Sequence, residues 1–445
     1  MPVFGEYLYQ QIQSRKVSIS GLARDSGVER TALHKALKGD RILPYPAVEA
    51  LAKSLKLSPE EIRKLRWYYD GLFESENRRQ ARDMVDRMFR RLWDLPDSIR
   101  YREHEPVSVS EEKAFYRGYG EIAGLVWSMV REETKRVRPR LELALPPDIP
   151  AVMQCVKRFY MERTDLEIEH IICFDTSGTE EENNLRNLEA LGCLLPECVL
   201  SGGRYQTFYY YNDQGQHRYT DPLPYFLVTQ GGAICFAENC QTAICLKGEE
   251  QAEYFRSCFY HLKQNCCKLV EYLQGGGWTQ TFIPESYSDR AGTCDRNGNP
   301  VFCSIMVHPC MGKELLPGLI TMFTRRGIAE FLNTGKLYDP AERVRKAVGP
   351  EMRRRILREF GIALRSDRIR GRMFNEMLFA LPERFGMLTT AEEGAFLYDK
   401  SRELEIRLCE KKLSGAFHDW AMHLFSGECV FDRERTAEIV EGMAG

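Results

Sequence analysis

ISGLARDSGVERTALHKALK, residues 19–38, is the stretch on which the reading of this chain turns. Two short helices that cross closely need a small residue at the crossing and a residue that tolerates a left-handed turn between them. Ala23 and Gly27 stand at those places. Leu22, Val28, Leu33 and Ala36 then face inward, and the spacing of Leu33, Ala36 and Leu37 puts one stripe of the second helix on a core. The opposite side carries Arg30, Thr31, His34, Lys35 and Lys38, with Arg41 just beyond. Such side chains donate to guanine edges and to phosphate oxygens, so this face suits double-stranded DNA.

Outward from that unit, Glu6–Lys16 is amphipathic, Ser18 is placed to cap the helix that runs through Arg24, and Pro46–Leu55 forms a fourth helix. Ser58-Pro59-Glu60-Glu61 opens a fifth, with serine at the N-cap, proline where no amide bond is lost, and Glu61 positioned to close a capping box. Ile62, Leu65 and Tyr69 supply its apolar stripe. LARDSGVERTALHKALKG, followed by EALAKSLKLSPEEI, resembles the helix-turn-helix of the lambda-repressor and Cro class, the XRE family. The resemblance spans residues 1–70. It implies base-reading positions at Arg30, Thr31 and Lys35 with His34 beside them, and a phosphate contact at Arg41. Two positions depart from the family pattern: Ile19, where glutamine is usual, and Glu29, where serine usually caps.

The chain has 445 residues, of which 43% are hydrophobic, 11% aromatic and 28% charged, which excludes a disordered or fibrous protein and points to two or three domains. A formal net charge of -2 hides an asymmetry. Residues 1–95 hold 18 Lys and Arg against 13 Asp and Glu, and the remainder 44 against 51. A basic head on an acidic body suits a first segment that meets a polyanion. No apolar run of about eighteen residues occurs, and the N-terminus lacks a basic start followed by an apolar segment. Neither a membrane span nor a signal peptide is expected, and the default address is the cytoplasm. The 15 cysteines all follow residue 150 and form no CxxC pair. Cys266/Cys267, Cys193/Cys198 and Cys240/Cys245 lack zinc-site spacing, so these thiols read as small core hydrophobes, and neither metal nor cofactor is expected.

Residues 71–139 read as a helical connector. In Asn77–Trp93 the apolar residues Ala81, Val85, Met88 and Leu92 form a seam for packing on its own domain or for a dimer contact, and a second long helix is predicted over Glu111–Lys135. From residue 140 the texture changes. Leu141–Pro146, Glu167–Phe174 and Tyr205–Tyr211 read as strands, with helices over Asp148–Arg163 and Asn183–Leu191 between them. That alternation predicts βαβ units and a largely parallel sheet. PYFLVT, GAICFA and TAICLK follow as a meander, then a helix over Glu249–Leu273, a hairpin at Asn297-Gly298, and a more helical, Arg-rich stretch from Leu315 to Arg372. FGMLTT, AFLYD and LEIRLCE lead to a helix over Lys411–Phe425. No internal repeat shows in the residues. The fold class is multidomain: an all-α helix-turn-helix domain over 1–70, the connector over 71–139, and a larger α/β domain with a mixed sheet over 140–445.

Tracts such as LPPDIPAVMQ, FYYYND and YFLVTQGGAICFAENCQTAICLKG resemble the effector half of long XRE-type regulators, and the layout is similar to phospholipase D-like folds, including the sensor domains of TrmB-type regulators. Phospholipase D chemistry needs two HxKxxxxD copies. The chain has one HxK, His261 and Lys263, on a predicted helix with Lys268 at the acid position, so this catalysis is not expected. Gly118, Gly120 and Gly124 fall inside a predicted helix rather than after a strand, and Gly275-Gly276-Gly277 lacks the residues of a phosphate loop. Tyr209, Tyr210 and Tyr211 read as β-favouring core with a pocket wall as the alternative, and Arg353, Arg354, Arg355 and Arg358 as a solvated helix face. Together these readings predict a sequence-specific DNA-binding transcription regulator without enzymatic activity, a homodimer whose C-terminal region senses an unknown signal or holds the dimer, with a small-molecule effector as one candidate partner. The alternatives are an enzyme or a protein-interaction module that carries a helix-turn-helix; turnover by residues 140–445 and salt-dependent retention of DNA separate them.

Overall fold

The computed structural model describes residues 3–73, 75–93, 95, 113, 115–163, 165–211, 222–273, 302–305, 319–335, 348–381, 385–390, 394–399 and 404–445. The chain divides into two compact units, Met1–Asp83 and Met84–Gly445, the first all-α and the second α/β, which is the multidomain class predicted.

The first unit contains α1 (Val3–Ser14), α2 (Ile19–Ser26), α3 (Arg30–Lys38), α4 (Tyr45–Ser54), α5 (Pro59–Asp70) and the beginning of α6 (Glu76–Trp93). Leu8, Ile12, Leu22, Leu33, Leu37 and Leu51 lie at the centre of its core. Gly5 lets α1 approach the end of α3, because a Cβ there would fall 2.3 Å from the Leu37 carbonyl oxygen. Both halves of the Ser58–Glu61 capping box form, and Glu61 also accepts from Arg15 at 2.7 Å. Those two partners, Arg15 foremost, hold its carboxyl down to about 2. Arg79 on α6 lies 4.1 Å from the Trp67 ring centre and donates to the Trp67 carbonyl, which fastens the first turns of α6 to α5.

The unit boundary falls inside α6, so residues 71–139 are divided between the two units rather than forming a separate body. In the second unit Phe89 of α6 stacks on Trp420 with ring centres 4.7 Å apart. The elements that follow are β1 (Phe115–Arg117), α7 (Gly118–Thr134), β2 (Arg140–Ala144), α8 (Pro150–Glu162), β3 (Glu167–Phe174), α9 (Glu180–Ser201), β4 (Tyr205–Tyr211), β5 (Tyr225–Thr229), β6 (Gly232–Phe236), β7 (Thr242–Lys247) and α10 (Glu249–Lys263). Next come β8 (Cys267–Lys268), β9 (Val270–Leu273), β10 (Phe302–Ile305), β11 (Leu319–Phe323), α11 (Arg325–Thr334), α12 (Pro350–Arg365) and β12 (Arg370–Met373). The last are β13 (Phe385–Thr390), β14 (Gly394–Asp399), β15 (Leu404–Leu408), α13 (Lys411–Ser426) and α14 (Arg433–Ala444).

The described strands form two sheets, ordered β1-β7-β6-β5-β2-β3-β4-β8 and β12-β11-β10-β13-β14-β15-β9. Both follow one plan. Three parallel strands (β2, β3, β4; β10, β11, β12) are followed in the chain by an antiparallel meander laid on the first of them (β5–β7; β13–β15) and a helix (α10; α13), and a strand that precedes them in the chain (β1; β9) lies antiparallel beside the last strand of the meander. A topological repeat is therefore present where the residues show none. The sheets are mixed, as expected: β2, β3 and β4 form the predicted parallel βαβ units, while the tight Gln230-Gly231 turn between β5 and β6 can join only antiparallel neighbours.

Three further expectations are corrected. The helix predicted to end at Leu191 continues to Ser201, through Pro196, since Leu194, Leu195, Cys198 and Val199 prolong its buried stripe and outweigh the interior proline. The helix predicted to Leu273 stops at Lys263, and β8 and β9 occupy its last residues. The helix predicted from Glu111 begins at Gly118, whose φ of 75° turns the chain out of β1. α14 was not anticipated, although Asp432 caps it by accepting from Arg435 N–H at 2.8 Å. Asn297-Gly298 and Gly275-Gly276-Gly277 lie outside the described residues.

Leu269, alone between β8 and β9, serves both sheets. Its N–H donates to Thr207 of the β4 strand at 2.9 Å and its carbonyl accepts from Cys409, beside β15, at 2.9 Å. Nearby, fully buried His170 donates from Nε2 to the Leu145 carbonyl at 2.8 Å and accepts at Nδ1 from Tyr205 Oη at 2.7 Å. That arrangement fits the neutral ring, and burial lowers its pKa to about 4.

Candidate nucleic-acid interface

Local chemistry sets the two crossed helices of the first unit. Ser18 caps α2 by accepting from Gly21 N–H, Gly27 adopts φ 71° between the helices, and Gly39 ends α3 at φ 84° with its N–H on the Ala36 carbonyl. The Asp40 N–H reaches back to the Lys35 carbonyl at 2.8 Å, which closes the last turn. Ala32, Leu33, Ala36 and Leu37 are buried, so α3 is pinned by one side only. Ala32 completes that stripe and was not singled out in the sequence.

The other side is open. Arg30, Thr31, His34, Lys35 and Lys38 are all exposed on α3, as is Arg41 in the segment after it. Among the described residues, Arg30, His34, Lys35, Lys38 and Arg41 form neither hydrogen bond nor ion pair. Thr31 is the exception: its hydroxyl donates to the Glu29 carboxylate. Glu29, at the N-cap, makes no capping bond with its side chain, which leaves the first amides of α3 open. Ile19, the other departure from the family pattern, packs half-buried against the core. A helix about 10–12 Å across matches the roughly 12 Å width of the DNA major groove, and α3 offers Arg30, Lys35 and Lys38 as cations, with His34 beside them, none engaged by another described residue. Ile42, 44% exposed beside Arg41, extends this surface and carried no signal in the sequence beyond its place after the helix.

Other singled-out residues have structural roles. His261 is exposed on α10, and Lys263 is held by Glu169 at 2.8 Å. Gly118, Gly120 and Gly124 lie inside a helix, α7, as expected; that helix does follow the short strand β1, but β1 and β2 lie at separate places in the sheet and are not the parallel neighbours a dinucleotide fold requires. Arg353 caps the end of α11 by donating to the Leu332 and Asn333 carbonyls, both at 2.8 Å, and Arg355 pairs with Glu359. Tyr211 donates to Glu410 at 2.7 Å, which ties β4 to the start of α13. Of the described cysteines, Cys155, Cys198 and Cys235 are buried and Cys267 is exposed, while the rest are half-buried rather than in the core. No described helix is long and apolar enough to cross a membrane.

No family model and no curated protein matches the chain. Two solved structures are similar at low identity. One is TrmBL2, an archaeal chromatin protein whose structure shows a novel mode of DNA binding: 14% identity, TM-score 0.24, covering 52% of this chain and 85% of that one. The other is phosphatidylserine synthase of Haemophilus influenzae: 9% identity, TM-score 0.21, covering 81% of this chain and 96% of that one.

Proposed function

We propose that this chain is a cytoplasmic, sequence-specific transcription regulator with an XRE-type head, in which α3 of Met1–Asp83 enters the major groove of double-stranded DNA. The observation that carries the reading is the division of α3 into a fully buried side and an exposed side whose cations are all unengaged. Arg30, Thr31 and Lys35 read bases, His34 and Lys38 flank them, and Arg41 takes a phosphate. A homodimer presents two such helices to half-sites about 34 Å apart, one turn of duplex, and Met84–Gly445 holds that dimer and answers to a small molecule. No turnover is proposed for the second unit. The engagement of Lys263, at the end of α10, with Glu169 of β3 supports that reading, since it occupies the lysine that phosphoryl chemistry would need.

Selection of bound sequences from a random duplex pool by the full chain tests the assignment. A palindromic consensus is the expected result, and the Arg30→Ala, Lys35→Ala double variant should no longer enrich it. Equal retention of the selected duplex by that variant removes the basis of the proposal.

A further inference from the structure

The second unit contains a cavity of about 470 Å³, within the range of roughly 300–1,000 Å³ typical of small-molecule sites. It opens between the end of α6, the segment that follows β2, α8 and α9, and Arg91, Asp148, Met153, Gly192, Cys193 and Pro196 are in its wall. The strand that leads into it, β2, is where the sheet changes sense, with β3 parallel on one side and β5 antiparallel on the other. Pro147 and Asp148 of the wall lie just past the carboxyl end of that strand, the end at which α/β sheets place their binding crevices.

Two of the charged side chains of this wall are paired, and two are exposed and unpaired among the described residues. Lys157 and Glu197 satisfy each other at 2.9 Å. Arg91 and Asp148, in contrast, form no ion pair or hydrogen bond with any described residue, although both act on the same thiol: burial raises Cys193 first, Asp148 raises it further and Arg91 opposes them. A guanidinium and a carboxylate thus line one cavity with a half-buried sulfur, without pairing. A further acceptor follows from covalent chemistry. Pro196 has no N–H, so the Gly192 carbonyl loses the donor that the fourth residue on normally supplies in a helix, and Gly192 has no side chain to cover it. Met153, Pro147, Pro150 and Pro196 give the remaining wall an apolar character.

We infer that this cavity binds a free α-amino acid with an apolar side chain, its carboxylate on Arg91, its ammonium on Asp148 and the Gly192 carbonyl, and its side chain against Met153 and the prolines. An ammonium carries three donors and needs more than one acceptor, while a guanidinium takes a carboxylate through paired N–H groups. A simple anion would leave Asp148 facing it, and a simple amine would leave Arg91 facing it. The regulatory consequence rests on the function proposed above. Arg91 belongs to α6, whose first turns belong to the DNA-binding unit, so occupancy acts on the helix that enters that unit.

Calorimetric titration of the full chain with L-leucine, L-methionine and L-phenylalanine, without DNA, tests the site. At least one should bind saturably at a single site. N-acetyl-leucine and leucine amide, each lacking one charge, should bind at least tenfold more weakly, and Arg91→Gln and Asp148→Asn should each weaken the free amino acid at least tenfold. Both residues are exposed, so the variants should keep the parental melting temperature, which a thermal scan checks. Absence of saturable binding by all three amino acids, equal binding of N-acetyl-leucine, or indifference to both substitutions overturns the inference. Operator retention with and without the bound amino acid is measured separately. Amino-acid binding without any DNA binding overturns the regulator reading and leaves the site, whereas DNA binding without amino-acid binding overturns the site alone.

Discussion

Arg30 and Lys35 stand on the open side of α3 without a partner among the described residues, so each substitution removes nothing that holds the protein together, and under the proposed function it removes a contact to DNA. Arg30→Ala and Lys35→Ala are each expected to cost about 1–3 kcal/mol of binding to the selected duplex and to relax choice at one base position, read by competition against single-base variants. Arg41→Ala should instead weaken all sequences alike and reduce the slope of log affinity against log salt by about 1, the signature of one lost phosphate contact. A different residue governs folding of the same unit. Gly5→Ala should destabilise it by about 1–3 kcal/mol in a denaturant titration, because the new methyl group meets the Leu37 carbonyl; unchanged stability would mean that α1 does not lie so close. In the second unit His170 sets an acid limit. Its pKa falls from an ordinary 6.5 in the unfolded chain to about 4 in the folded one, so the unfolded state binds the extra proton between those values. Stability is fully present above pH 6.5 and is lost as pH falls toward 4, by about 3 kcal/mol in all. His170→Gln, which cannot titrate, should flatten that part of the stability–pH curve.

Helix and strand ends show which signals are local. β3 and β4 coincide with the predicted strands residue for residue, because apolar runs there are bounded by polar and glycine breakers. α9 outruns its prediction because a proline is a local signal, whereas the buried stripe that overrides it depends on tertiary packing. β8 exists only through its partners Phe208 and Tyr209, some sixty residues earlier, which no short window contains. The α3 surface was legible for the opposite reason: nine residues hold the whole alternation of buried and exposed positions. The cavity was not, since Arg91, Asp148 and Gly192 come from three separated stretches of chain. Within the Arg353–Arg358 run, sequence alone gives four equivalent cations, but only Arg353 closes a helix end. Arg353→Ala is therefore expected to lower stability by about 1.5–3 kcal/mol, while Arg354→Ala changes it by less than about 0.5 kcal/mol. Equal effects in thermal denaturation would contradict that capping role.

Across the whole chain, the first unit has its own apolar core, enclosed by α1 to α5. A fragment spanning residues 1–93 should give a single cooperative helical melt by circular dichroism, and a gradual loss of ellipticity would show that it depends on the rest of the chain. The second unit repeats a winding pattern without repeating residues, as expected when strand order is set by connection length and burial rather than by side-chain identity. Its two sheets meet through the peptide groups on either side of Leu269, whose amide belongs to one ladder and whose carbonyl belongs to the other. Neither sheet can open at that place without unzipping its neighbour. The amides of Leu269 and Cys409 should thus be among the last to take up deuterium, exchanging together and only when both sheets come apart.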